Sequence, residues 1–125
     1  MTNYAITGIT AAALLAFPTI AMSNDQLAVL AVDRATGSMT MGDVVAYTKT
    51  FDLSLTNTSD SAVDLGETCL FAQTTSGERF GLDTVDEVLI SGSLNAGDIV
   101  TGSASFGSDN DMVLEVTSVH VSDDC

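Results

Sequence analysis

The chain is 125 residues long and carries seventeen acidic against three basic side chains, a formal net charge of −14, with 46% hydrophobic residues and no tryptophan. That length holds one domain, since single domains commonly run to about 100–150 residues. The acidic excess repels nucleic acid and anionic membranes by the sign of the charge alone, keeps the protein soluble and favours a monomer.

The first stretch, "MTNYAITGITAAALLAFPTIAMSNDQ", contains no ionisable acid or base before Asp25, and Ala5 to Phe17 are apolar or small. A run of that kind matches a secretory h-region of about 7–15 residues. Pro18 ends it, and the small residues that follow offer cleavage after Ser23, which we prefer, or after Ala21. An uncleaved membrane anchor is the competing reading, because Tyr4 to Met22 approaches the about 20 apolar residues that span a bilayer; the threonines, Gly8 and Pro18 argue against it. The expected organisation is a signal peptide helix over residues 1–23 and one domain over 24–125, periplasmic or secreted, with no stable membrane insertion after cleavage. All the charges lie in the second part. Scattered as they are, they read as a solvated surface, screened over about 8 Å in physiological salt.

Beyond the leader the periodicity is that of strands. "QLAVLAVDR" (26–34) is apolar on both faces, so it lies either between two layers or at an edge that must be covered. In "YTKTFDLSLTN", Tyr47, Phe51, Leu53 and Leu55 share one face and Thr48, Thr50, Asp52, Ser54 and Thr56 the other, a period of two broken only by Lys49. This is a half-buried antiparallel strand. Further strands are expected at "TCLFAQT" (68–74), "EVLISGSL" (87–94), "DIVTGSASF" (98–106) and "MVLEVTSVHV" (112–121). In "DIVTGSASF", Val100, Gly102, Ala104 and Phe106 alternate with polar residues, and Gly102 and Ala104 leave room for a large neighbour. "TGSMTMGD", "NTSDS", "TTSGE", "NAGD" and "GSDND" are turn signals, and "DTVDE" (83–87) suits a short helical turn. Strands separated by turns about every ten residues, with no convincing helix after the leader, indicate an all-β antiparallel sandwich.

Taken together, "GSMTMGDVVAYTKTFDLSLTN", "CLFAQTTSGERFGLDTVDE" and "VSDDC" resemble a family of small, uncharacterised bacterial exported proteins with an immunoglobulin-like fold. The similarity covers nearly all of the chain after the leader. It implies an immunoglobulin-like antiparallel β-sandwich and carries no activity with it. A more distant fold analogy is to ApaG-type sandwiches, but their glycine-rich G-x-G-x-x-G segment is absent, so no phosphate binding is implied.

The chemistry that the residues support is narrow. In an exported chain the two cysteines, Cys69 and Cys125, most simply form one disulfide, which would pin a last strand that otherwise frays. A zinc cage needs about three or four His or Cys ligands, and with one histidine and a paired cysteine set it cannot be built. His120 reads as a strand-face imidazole near the carboxylates of "SDDC" rather than as a catalytic base. The absence of tryptophan platforms discounts carboxylate-pair glycoside hydrolysis. Calcium is the one cation that the loops suit: Asp109 and Asp111 in "SDNDM", Asp83, Asp86 and Glu87 in "LDTVDE", and Asp123 and Asp124 beside the terminal carboxylate. None follows the spaced D-x-[DN]-x-[DN]-G loop, and calcium takes about six to eight oxygens. Asx-type turns account for the same residues. The expected protein is therefore non-enzymatic and without a cofactor, a binding or structural module that presents loops or a strand edge to a protein partner. A calcium-stabilised extracytoplasmic domain is the alternative.

Overall fold

The computed structural model describes residues 19–21, as backbone, and 26–124. The signal peptide helix expected over residues 1–23 otherwise falls outside the described residues. No helix among the described residues is long and apolar enough to cross a membrane.

The chain forms an antiparallel β-sandwich. Its strands are β1 (Thr19–Ala21), β2 (Leu27–Met41), β3 (Val44–Asn57), β4 (Val63–Asp64), β5 (Cys69–Gln73), β6 (Arg79–Val85), β7 (Ser93–Leu94), β8 (Ile99–Ser108) and β9 (Ser118–Ser122). Seven of them make one sheet in the order β1-β2-β3-β8-β6-β5-β9, and β4 pairs with β7 in a small second sheet. The long sheet curls until β9 approaches β1 and β2. Two layers result, β1-β2-β3-β8 and β6-β5-β9, joined where β6 pairs with β8.

The core lies between them. Leu27, Val29 and Ala31 from β2, Phe51, Leu53 and Leu55 from β3, and Ala104 and Phe106 from β8 face Leu70 and Ala72 from β5 and Val119 and Val121 from β9. Each set recurs every second residue, as the pleat requires. Phe51 and Phe106 meet edge to face at 6.2 Å. Gly102 supplies the room expected of it: a Cβ there would stand 3.1 Å from the Leu89 side chain, which packs across that gap. Asn57, fully buried, ties the loops at one end. Its Nδ2 donates to the carbonyls of Ser61 and Leu94, and its Oδ1 accepts from the Ser59 backbone and hydroxyl.

Four sequence expectations need correction. "EVLISGSL" is a 3-10 turn at Glu87–Leu89 followed by the two-residue β7, so the helical turn expected within 83–87 begins at its last residue instead. "MVLEVTSVHV" splits into a 3-10 helix, Asp111–Glu115, and β9. "TGSMTMGD" is not a turn over its length: β2 runs through to Met41, and only Gly42, at φ 61, and Asp43 reverse the chain. A left-handed residue at that corner is why glycine stands there. Finally, β6 at "RFGLDTV" is a strand that lacked a clear alternating signal. The stretch at 26–34, open between centre and edge from sequence, is the second strand of its sheet, with β1 on its outer side in the register Thr19↔Ala31, Ile20↔Leu30 and Ala21↔Val29.

Candidate binding face on the β2–β3 arm

β2 changes character at Arg34. Asp33 pairs with Phe51 and Ala35 with Thr50, so Arg34 is an extra residue in the ladder, a bulge. Its guanidinium reaches across β3 to the Ser103 hydroxyl at 2.8 Å and the Asp52 carboxylate at 3.3 Å. The bulge shifts the parity of everything beyond it. Before it, odd-numbered residues point to the core; after it, Gly37, Met39 and Met41 pair with Thr48, Ala46 and Val44 on the outer face. Every residue of β2 from Val32 to Met41 is exposed.

The outer face of the arm is apolar at its tip. Met39, Met41 and Val44 are 58%, 68% and 59% exposed. Cross-strand neighbours at this separation touch, so the three with Ala46 form one ladder of apolar groups. Below the tip the surface sinks into a hollow of about 410 Å³, lined by Gly37, Met39, Ala46, Thr48, Leu82 and Gly107 with the Asp83 and Asp109 side chains among its walls. Gly37 and Gly107 flank Thr48 in the ladder, and neither brings a side chain to the floor. A Cβ on Gly107 would come within 3.2 Å of Asp83.

The acidic residues considered for calcium are dispersed. Asp83 and Asp109 share the hollow, whereas Asp123 lies in a separate one with Gln26 and Asp64. Asp86 turns away and accepts a hydrogen bond from the Ser103 amide at 2.8 Å. Glu87 and Asp111 begin separate 3-10 turns, the second capped by Asn110, whose Oδ1 accepts from the Met112 amide. Among the described residues no three His, Cys, Asp or Glu side chains gather as a metal would require.

His120 lies elsewhere, on the outside of β9, with its ring stacked on Phe71 at 5.3 Å and its Nε2 2.8 Å from the Ser118 hydroxyl. Burial, and after it the charge of Arg79, lowers its pKa below the ordinary histidine value. Flanking carboxylates, expected from "SDDC", would act in the opposite sense. Cys69 opens β5 directly opposite Ser122, near the end of the chain. Among the described residues no cysteine is free, and Cys125 lies outside them.

A family model described as a domain of unknown function, DUF4354, matches residues 1–123. The chain belongs to this family. The fold of this DUF4354 chain is also that of an ApaG protein (PA1934) from Pseudomonas aeruginosa, to which it is 38% identical, with a TM-score of 0.76 over 82% of this chain and 99% of the other. No protein with a curated description matches. The resemblance carried by "FDLSLTN", "CLFAQTTSGERF" and "VSDDC", and the more distant ApaG analogy, are thus both found. From sequence the contact surface was loops or a strand edge, with the stretch at 26–34 open between edge and core; its Leu27, Val29 and Ala31 are buried. The arm was missed because its glycines and serine read as a turn; the signal that could have found it is "MTMGDVV", apolar residues spaced for strands about a tight corner.

Proposed function

We propose that this DUF4354 domain is an exported, non-enzymatic module of the periplasm or cell exterior, and that it binds a protein partner through the outer face of the β2–β3 arm. The exposed Met39–Met41–Val44 ladder carries the reading. Large apolar side chains grouped on a projecting element bring no folding energy, and their usual meaning is a contact surface. Methionine suits the task because its flexible, polarizable side chain adapts to a partner. Residues 1–23 act as the leader on this reading, and Cys69 pairs with Cys125 in the oxidising space the leader reaches. Cleavage at either expected site would remove β1 with the leader and bare the outer edge of β2 at Val29–Ala31.

Two measurements test this. Amino-terminal sequencing of the protein recovered from its native cells should begin at Asn24, or at Met22 for the earlier cut; a chain beginning at Met1 would refute export by a cleaved leader. Affinity capture from the native cell envelope should be compared between the native chain and the Met39→Ser/Met41→Ser variant. The variant should melt at the same temperature and retain a captured partner at least about tenfold less well, as expected when central apolar anchors are removed. Equal capture by both proteins would exclude the arm.

A further inference from the structure

The three cations of this acidic chain are placed very differently. Arg34 pairs with Asp52 and Lys49 with Asp33. Arg79, among the described residues, has no carboxylate within ion-pair distance, although seventeen acidic residues are present in the chain. Instead its guanidinium lies over the Phe71 ring, 4.4 Å from Cζ to the centroid.

Register explains the placement. On the outer face of β5, Phe71 pairs with Gly81 on one side and His120 on the other, and Arg79 pairs with Gln73. Gly81 has no side chain to compete, so Arg79, the diagonal neighbour, extends over the ring. Phe71 and His120 stack with their planes 17° apart. The Ser118 hydroxyl holds the imidazole through Nε2. Beside these rings is a hollow of about 230 Å³ lined by Phe71, Gln73, Arg79, His120, Val121 and Ser122. It is smaller than the about 300–1,000 Å³ that encloses a drug-sized ligand, and so it suits a single flat headgroup.

We infer that the Arg79–Phe71–His120 stack is a binding site for a small planar organic carboxylate. A guanidinium held over a ring retains N–H donors in the fork geometry that matches a carboxylate with two parallel hydrogen bonds. The His120 ring, itself braced on Phe71, offers the body of a flat ligand an aromatic surface on which to stack. Gln73 and Ser122 add neutral polar groups at the rim. Within a surface of net charge −14, Arg79, which among the described residues has no carboxylate in ion-pair distance, offers an organic anion attraction at contact distance.

The test is a titration of the intact, folded protein followed by amide and imidazole NMR signals, using benzoate, cyclohexanecarboxylate and inorganic phosphate. Benzoate should shift the signals of Phe71, Arg79 and His120 saturably, with a dissociation constant of about 1–10 mM, a range appropriate to a single headgroup. Cyclohexanecarboxylate, with the same charge and no aromatic face, should bind several-fold less tightly, and phosphate about tenfold less tightly or worse. Arg79→Gln should lose about tenfold or more in benzoate affinity, and Arg79→Lys, which keeps the charge without the fork, should lose most of it too. His120 should remain stacked in both variants, as judged by its ring shifts, which separates a lost ligand contact from a lost fold. Absence of saturable shifts with benzoate in the native chain would overturn the inference, as would phosphate binding as tightly as benzoate, or Arg79→Gln binding benzoate unchanged.

Discussion

Lys49→Ala should destabilise the domain by about 2–4 kcal/mol, the cost of leaving buried carbonyls without their donor together with lost packing of the stem. Lys49 is only 9% exposed and stands on the core face of β3, the one break in its alternation between Tyr47 and Leu55. Its ammonium donates to the carbonyl of Val116 at 3.0 Å and to that of Leu114 at 3.2 Å, and it pairs with Asp33 at 3.3 Å. It also lies 5.5 Å from the centre of the Phe51 ring. The two carbonyls belong to the point where the Asp111–Glu115 3-10 helix gives way to the lead into β9, where the turn no longer supplies donors. One charge thus fastens the crossing segment to the sheet.

The partners decide which part of that loss is electrostatic. Asp33 is largely exposed, so water takes over its solvation when the lysine goes, and that ion pair contributes little. The carbonyls have no such recourse. Lys49→Met, which keeps the apolar stem, should therefore recover the packing contribution and still lose about 1–3 kcal/mol. Urea unfolding of the native chain and both variants measures the difference. If Lys49→Ala unfolds within about 0.5 kcal/mol of the native chain, a typical surface substitution value, the fastening described is not a determinant of stability.

Lys49 also shows where sequence reasoning reached and where it stopped. The strand around it was legible because Phe51, Leu53 and Leu55 alternate with polar residues over enough length to exclude a helical period. β8 was legible for the same reason, and so was the need for a large neighbour over Gly102. The identity of that neighbour was not, because Leu89 sits in "EVLISGSL", a run whose β-branched and apolar content looks like a strand. Its conformation is set by packing onto β8 rather than by local preference. In "MVLEVTSVHV" the boundary is visible in retrospect. Val113 and Val116 are buried three residues apart, the repeat of a 3-10 turn, whereas Val119 and Val121 are buried two apart. A single period applied across both halves conceals the change. The arm was illegible for a different reason: beyond the Arg34 bulge no residue of β2 is buried, so no alternation arises there for sequence to display. The carboxylate site escaped notice because Phe71, Arg79 and His120 come from three strands, and their meeting depends on a register that spacing along the chain does not encode.

The Cys69→Ser/Cys125→Ser protein should be less stable than the oxidised native chain by about 2–5 kcal/mol, the usual cost of removing the disulfide from a small exported domain. The expectation follows from the position of β9. It is five residues long and lies at the end of the sheet order, where it pairs with β5. Val119 and Val121 are buried in the core, so its departure would open one side of the sandwich. A strand this short at the end of a sheet frays readily. A covalent bond between Cys69, opposite Ser122 in that ladder, and Cys125 would close the fraying end while removing loop-closure entropy from the unfolded chain. Changing both residues avoids a lone reactive thiol. Amide exchange then distinguishes local from global effects: Val119 and Val121 should lose protection in the double variant more than Leu53 and Leu55, which lie in the longer β3 between β2 and β8. Because His120 rides on β9, benzoate affinity should fall along with that protection. Two free thiols by mass in the protein from its native source, or equal unfolding of the oxidised and doubly substituted chains, would remove both the tie and the oxidising compartment inferred with it.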